Sequence, residues 1–243
     1  MNFQHSNIKG KNIIITGASK GIGKALAAAF AAEGARLFLC ARNATQLNNT
    51  VAELQLQYPG VVIKSTTADL SVKDQTIAFG KWINQQVTAV DILVNNAGQF
   101  LPGSAHNEPD GILEQMIQTN LYSAYHLTRT LLPAMMEYKQ GYIFNICSIA
   151  SLQAYSNGGS YSISKFALMG FSKNLREELK PYNIKVAAVY PGAVLTDSWG
   201  NYDNSNHRIM EATDIAAMIL AACKLSAGAV MEDIILRPQL GDL

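Results

Sequence analysis

Seven short apolar runs recur along the chain with a helix-length segment between successive ones, and this alternation constrains the fold more than any other feature of the sequence. The runs lie at 12–16, 36–40, 61–67, 91–95, 142–146, 185–190 and 233–237. Ile13-Ile14-Ile15 and Ile92-Leu93-Val94 do not alternate apolar with polar residues, so both of their faces must be covered, as in a parallel sheet. The segments between them, 21–33, 44–57, 73–86, 112–139, 161–180 and 213–223, read as helices. Gly34 closes the first, Pro59 and Pro181 end the second and fifth, and Pro133 is expected to kink or split the fourth. Strand and helix alternating throughout predict an α/β fold, a single-domain doubly wound parallel sheet of seven strands with helices on both faces. Such sheets bind ligands beyond the carboxyl ends of their strands. The aperiodic stretch 197–208, with Trp199 and Tyr202 among polar residues, reads either as a substrate flap or as a surface loop.

Composition narrows the function classes. With 243 residues and 49% hydrophobic content the chain 1–243 can bury one large core, and 19 Lys+Arg against 18 Asp+Glu leave a net charge of +1, which argues against disorder. No block of like charges offers a stripe for nucleic acid or a patch for a membrane surface. The longest apolar stretches, 25–32 and 215–223, fall short of the roughly 18 to 20 residues of a membrane span. Residues 1–12 lack the apolar core of a signal peptide, so a cytoplasmic location is expected. Cys40, Cys147 and Cys223 are widely spaced and read as reduced, buried thiols, and His5, His106, His126 and His207 have no metal-ligand spacing, so no protein-held metal is expected.

The chemistry begins at the first strand's end. Thr16-Gly17-Ala18-Ser19-Lys20-Gly21-Ile22-Gly23 occupies a strand-to-helix turn. There glycines let the backbone close on a pyrophosphate, which the free amides and positive end of the following helix stabilise. A tight turn with glycines for packing alone is the bland alternative. Another is that Gly17 to Gly21 form a G-x-S-x-G elbow presenting Ser19 as a hydrolase nucleophile, although no histidine is marked as its base. The second strand decides the dinucleotide. It ends Cys40-Ala41-Arg42 without the carboxylate that binds ribose hydroxyls in NAD enzymes, and Lys20 stands in the glycine turn. Two cations there favour the 2′-phosphate of NADP, unless both are merely solvated surface charges. Asp69, with Leu70 after the third strand, is placed to meet the adenine end or to cap a helix.

Tyr161 and Lys165 lie four apart on a helix and share one face. Roughly half a match to that spacing is expected by chance in a chain of this composition, so the pair needs context. The context is Ser148 at the end of the fifth strand, Asn120 in the fourth helix, Asn95-Asn96-Ala97-Gly98 closing the fourth strand and Pro191-Gly192 closing the sixth. With these motifs the sequence resembles the short-chain dehydrogenase/reductase family over essentially its whole length. The resemblance implies a Rossmann-type domain. It places the family's glycine motif on Thr16, Gly17, Gly21 and Gly23, its N-N-A-G on Asn95 to Gly98, and its catalytic Asn, Ser, Tyr and Lys on Asn120, Ser148, Tyr161 and Lys165. Pro191, Gly192, Val194 and Thr196 fall on the segment that holds the nicotinamide carboxamide in the family.

As implied, the activity is NADPH-dependent reduction of a ketone or aldehyde, with NADP(H) as cofactor and a small carbonyl or alcohol as partner molecule. Hydride arrival leaves negative charge on the carbonyl oxygen, so a donor must meet it. Tyr161 is the expected acid, Lys165 is expected to lower its pKa towards neutrality, Ser148 to bond the substrate oxygen, and Asn120 to hold a water leading to Lys165. Gln99, Phe100, Leu152, Gln153, Tyr155, Trp199 and Tyr202 are candidate pocket residues, Tyr155 lining the pocket or simply packing. The pattern looks like 3-oxoacyl reductases, but Glu232 to Pro238 departs from their glycine-rich tail and is more similar to members acting on small hydroxy acids or pterin-like carbonyls. Family members pair through helices corresponding to 112–139 and 161–180, which implies a homodimer or homotetramer. An NADP-binding regulator without turnover would not need Tyr161 and Lys165, and a serine hydrolase would bind no dinucleotide.

Overall fold

The computed structural model describes residues 7–242; His5 and the first half of the amino-terminal segment that argues against a signal peptide lie outside them. Seven strands, β1 (Asn12–Thr16), β2 (Arg36–Ala41), β3 (Ile63–Thr67), β4 (Ile92–Asn95), β5 (Gly141–Ile146), β6 (Ile184–Pro191) and β7 (Asp233–Leu236), form one sheet in the order β3-β2-β1-β4-β5-β6-β7. All neighbours are parallel. The doubly wound Rossmann-type reading therefore holds.

Both faces of the sheet are covered, which explains the runs without alternation. Ile13, Ile15, Leu37, Leu39 and Val94 point into one core with α1 (Gly21–Ala32) and α7 (Ala212–Cys223). Ile14, Phe38, Cys40, Leu93 and Ile143 point into the other, beneath α3 (Lys73–Gln86), α5 (Ser123–Tyr138) and α6 (Gly159–Leu179). Successive side chains on a strand face opposite ways, so two apolar layers demand apolar residues at every position. The remaining helices are α2 (Ala44–Gln57) and the short α4 (Ile112–Ile117).

The long fourth helix differs from expectation. It is broken not at Pro133, which lies inside α5, but by a π-helical turn at Gln118–Tyr122 that separates α4 from α5 and contains Asn120. A π turn inserts one residue into the helical repeat and commonly marks a functional position. Other boundaries move by one or two residues: β3 begins at Ile63, β7 ends at Leu236, and α6 begins at Gly159, so Tyr161 sits in its first turn. The three cysteines are free and buried. No helix among the described residues is long and apolar enough to cross a membrane.

Candidate active site

The chain reverses direction across the sheet between β1 and β4, and the crevice beyond their carboxyl ends is where a doubly wound sheet places its ligand. There the glycine turn meets the end of β4. Thr16 Oγ1 accepts from the main-chain N–H groups of Asn96 and Ala97, each at 2.9 Å, while Asn96 Nδ2 donates to the carbonyls of Thr16 (2.8 Å) and Gly17 (3.2 Å). Gly17 and Gly21 adopt φ of +63° and +53°, where a side chain is strained. At Gly23 the obstacle is space, because an added Cβ would overlap the Gly17 carbonyl. Lys20 begins α1 without a side-chain cap, and the first turn carries no acidic residue. Such a turn fits a dinucleotide pyrophosphate, whose oxygens would satisfy the uncapped amides of a helix with Ile22 and Gly23 in its first turn. Ser19 contributes its carbonyl, which accepts from Thr50 Oγ1 at 2.8 Å.

The two cations predicted for a 2′-phosphate each have a carboxylate neighbour. Lys20 Nζ bonds Asp197 at 2.8 Å, and Arg42, its side chain 73% exposed, lies 3.9 Å from Asp69. Asp69 is no helix cap. Its Oδ1 accepts from the Ser71 amide and hydroxyl at 3.0 and 2.7 Å, a turn that precedes α3, and Leu70 behind it is buried.

Beyond β6, Gly192 donates to Leu236 at 2.8 Å, Val194 pairs with Met210, and Thr196 packs on the glycine turn, its Cγ2 only 3.1 Å from where a Cβ of Gly21 would lie. The 197–208 stretch leaves from here. It begins with a short 3₁₀ turn at Asp197–Trp199, sets Trp199 against Tyr202 with the rings tilted and their centroids 5.2 Å apart, and is pinned by buried Asn204, which bonds Ile209 and Glu211.

The other predicted residues gather beside the crevice. Ser148 follows β5 and is 8% exposed; its hydroxyl caps a 3₁₀ turn by accepting from Ala150 N at 3.1 Å and lies near enough to the Tyr161 phenol to pull its pKa down. Lys165, 5% exposed, donates from Nζ to the Ile146 carbonyl at 2.8 Å and lies 5.8 Å from the Tyr161 ring centre. Asn120 holds the chain leaving β4: Gln99 N donates to its Oδ1 at 2.7 Å, and its Nδ2 donates to Gln99 O at 3.0 Å and Ser164 Oγ at 2.9 Å. The π turn and Asn120 thus tie α4, α6 and the post-β4 loop together. An added Cβ on Gly98 would lie 3.2 Å from Asn120 Oδ1 and 3.5 Å from Lys165 Nζ, so both polar atoms converge beside that glycine.

The electrostatics correct one expectation. Burial pushes the Tyr161 phenol up to about 12, against the downward pull of the Ser148 hydroxyl, and Tyr155 and Cys147 push it further up. Burial likewise lowers the Lys165 ammonium to about 8. Lys165 does not bring the phenol towards neutrality here: its Nζ is turned to the Ile146 carbonyl, and burial sets the direction of the phenol's shift.

Phe100 meets Tyr161 edge to face at 4.9 Å, while Gln99 reaches Gln115. Leu152, Gln153 and Tyr155 lie exposed on the segment leading to α6, and burial raises the Tyr155 phenol. Sequence reasoning missed the carboxylate Glu108, which bonds the start of α6, and the buried Asn95-Asn145-Ser172 chain beneath the site, with Asn95 to Asn145 and Asn145 to Ser172 both at 2.8 Å. The asparagines could have been flagged as polar residues inside apolar runs; Glu108 had no such signal, since it stands in an aperiodic loop.

Known proteins resemble this chain over nearly its whole length. A sepiapterin reductase of Chlorobaculum tepidum is 32% identical, the match covering 95% of this chain and 97% of that protein. A metagenomic short-chain oxidoreductase solved with NADP superposes with a TM-score of 0.84 at 30% identity, covering 96% of this chain and 99% of that one. A 7α-hydroxysteroid dehydrogenase solved with NADH and 7-oxo glycochenodeoxycholic acid superposes with a TM-score of 0.89 at 28% identity, covering 100% and 98%. The short chain dehydrogenase family model matches residues 11–207, a span that takes in the glycine turn, the end of β4, Asn120, Ser148, Tyr161 and Lys165; the chain belongs to the short-chain dehydrogenase/reductase family.

Proposed function

We propose that this protein reduces a ketone or aldehyde to the alcohol with NADPH, reversibly, and that Tyr161 is the general acid. One observation carries the reading: the Tyr161 phenol beside Ser148, with the buried Lys165 amine 5.8 Å from its ring, stands at the same sheet edge as a glycine cradle shaped for a pyrophosphate. The bound cofactor supplies hydride to the carbonyl carbon. Gly17 to Gly23 hold its pyrophosphate, Lys20 and Arg42 its 2′-phosphate, Asp69 and Leu70 border the adenine, Asn96 to Gly98 the sugar, and Pro191, Gly192, Val194 and Thr196 the carboxamide. The solved relatives include both NADP and NADH complexes, so the choice of NADP(H) rests on this chain's cations and the absence of a carboxylate at the end of β2.

A phenol raised to about 12 is protonated at neutral pH, which is the state a reductase needs to donate to the developing alkoxide. Ser148 donates a second hydrogen bond to the same oxygen, and the Lys165 ammonium, beside the Gly98 space, returns a proton to the phenolate left behind. The space beside Gly98, faced by Asn120 Oδ1 and Lys165 Nζ, suits a water that returns a proton to the amine. Phe100 and Tyr155 form an aromatic wall, and 197–208 with Trp199 and Tyr202 forms a flap. Together with Gln99, Leu152 and Gln153 they favour a partly apolar carbonyl of modest size. The non-glycine tail and the sepiapterin reductase relative support a pterin-like or small keto compound over an acyl-carrier-bound chain. Exposed Leu113, Tyr122, Ile163 and Phe166 on and beside α4 and α6 offer a face for pairing two copies.

The test is loss of reduced-nicotinamide absorbance against pterin-like ketones, small keto acids, 3-oxoacyl thioesters and aromatic ketones. Wild type should turn over at least one class, and Tyr161→Phe should bind NADPH but turn over none. Tight NADPH binding with no carbonyl reduced would favour the regulatory reading instead.

A further inference from the structure

The first turn of α6 carries the phenol, yet its own sequence does little to fix it. The N-cap is Gly158, which has no side chain to accept from the first amides, and the first turn holds no acidic residue. Uncapped helix starts fray. The missing acceptor comes from a residue 52 positions earlier. Glu108, half-buried in the loop between β4 and α4, accepts from the main-chain N–H of Ser160 at 3.4 Å and from its hydroxyl in a short contact. Ser160 is 1% exposed and immediately precedes Tyr161. A carboxylate at this end is also favoured by the dipole of a 21-residue helix.

Three further contacts weld the same loop to the same helix start. Gly103 N donates to the Asn157 carbonyl at 3.1 Å, and Ser104 Oγ donates to Asn157 Oδ1 at 3.0 Å. Gly159, at φ +36°, approaches so closely that an added Cβ would lie 2.5 Å from the Gly103 carbonyl and 2.9 Å from Glu108 Oε2. The loop's other end is held by Asn120 through Gln99, and between the two anchors Phe100 lies against the Tyr161 ring.

We propose that Glu108 is a positioning residue: by bonding the amide and hydroxyl of Ser160 it fixes the first turn of α6, and with it the Tyr161 phenol, against the loop that carries Gln99 and Phe100. The inference rests on the reading of Tyr161 as the acid. Glu108 touches neither substrate nor cofactor and acts through Ser160. Its carboxylate is not among the groups that shift the phenol's pKa, so its effect is geometric.

The experiment compares wild type, Glu108→Ala, Glu108→Gln, Ser160→Ala and Tyr161→Phe in kcat, carbonyl KM, NADPH affinity and amide hydrogen exchange of the 158–165 segment. A displaced phenol costs kcat rather than nucleotide binding. Glu108→Ala should therefore lose roughly 10- to 100-fold in kcat with NADPH affinity within about twofold, and its 158–165 amides should exchange faster while those of the glycine turn do not. Glu108→Gln keeps an oxygen that accepts from Ser160 and should recover kcat to within about threefold. Ser160→Ala, which keeps the main-chain bond, should fall between and serves if Glu108→Ala does not fold. An unchanged kcat in Glu108→Ala, a Gln variant as impaired as the Ala variant, or unchanged exchange in 158–165 would overturn the proposal. If wild type reduces no carbonyl, the functional reading fails while the exchange measurement still decides whether Glu108 holds the helix start.

Discussion

Lys165 is a buried cation, and replacing it with methionine should make the protein more stable near neutral pH while abolishing its activity. In the fold the ammonium is 5% exposed, with its Nζ on one carbonyl, and burial lowers its pKa from 10.5 to about 8. A shift of that size corresponds to about 3 kcal/mol of unfavourable burial for the charged form. The sign follows from proton counting. Between about 8 and 10.5 the unfolded chain holds the lysine proton and the native state has lost it, so wild-type stability rises with pH across that window. Below about 8 both states are protonated and the native state bears the whole cost. Methionine has similar length and no charge, so Lys165→Met removes this term at every pH, at the constant expense of leaving the Ile146 carbonyl unpaired, about 1 to 3 kcal/mol. The two proteins share every other titrating group, so the difference in their unfolding free energies isolates Lys165. Urea unfolding of both at a series of pH values from about 7 to 10 should show the variant's relative advantage shrinking by about 3 kcal/mol. A difference that stays flat with pH would refute the claim that the amine is held charged at a desolvation cost.

Other outcomes follow from the same geometry. Arg42→Ala and Lys20→Ala should each weaken NADPH about 10- to 100-fold and leave NADH nearly unaffected, as read by nucleotide fluorescence titration, because each removes a charge-assisted bond to a phosphate NADH lacks; equal losses for both nucleotides would contradict this assignment. Gly23→Ala should lower stability by about 1 to 3 kcal/mol and remove nucleotide binding, since the new Cβ meets the Gly17 carbonyl, a backbone atom that cannot swing aside; thermal melts with and without NADPH check both. Reductase kcat should hold level through neutral pH and decline as pH rises past about 8, where the Lys165 ammonium loses its proton, and a pH profile that stays flat to about 10 would speak against that ammonium's role.

The sheet was legible because a strand buried on both faces cannot hide its pattern: Ile13-Ile14-Ile15 serves two cores at once. The glycine turn was legible for a related reason, since only that residue tolerates the backbone of Gly17 and Gly21 or the crowding at Gly23. The site was read by motif, and the structure brings those residues to one edge. What the sequence could not convey was set by distant partners. The break at Asn120 rather than Pro133 arises because the Asn120 side chain bonds Gln99 and Ser164, contacts that no local propensity encodes. The pairing of Lys20 with Asp197, 177 positions on, is equally invisible. The phenol's upward shift comes from burial, whereas the four-residue spacing to Lys165 gives only proximity. Glu108 is the extreme case: a loop carboxylate whose meaning lies wholly in the helix start it reaches.

The central claim is that hydride from NADPH and a proton from Tyr161 end on the same carbonyl group. It is tested most directly by giving the enzyme NADPH deuterated at both C4 positions, with a ketone it accepts, and examining the alcohol by mass spectrometry. Wild type should place one deuterium on the carbinol carbon for each NADPH consumed, and Tyr161→Phe should bind the nucleotide yet form no labelled alcohol. NADPH consumed without label in the product, or label formed at the wild-type rate by Tyr161→Phe, would contradict the account.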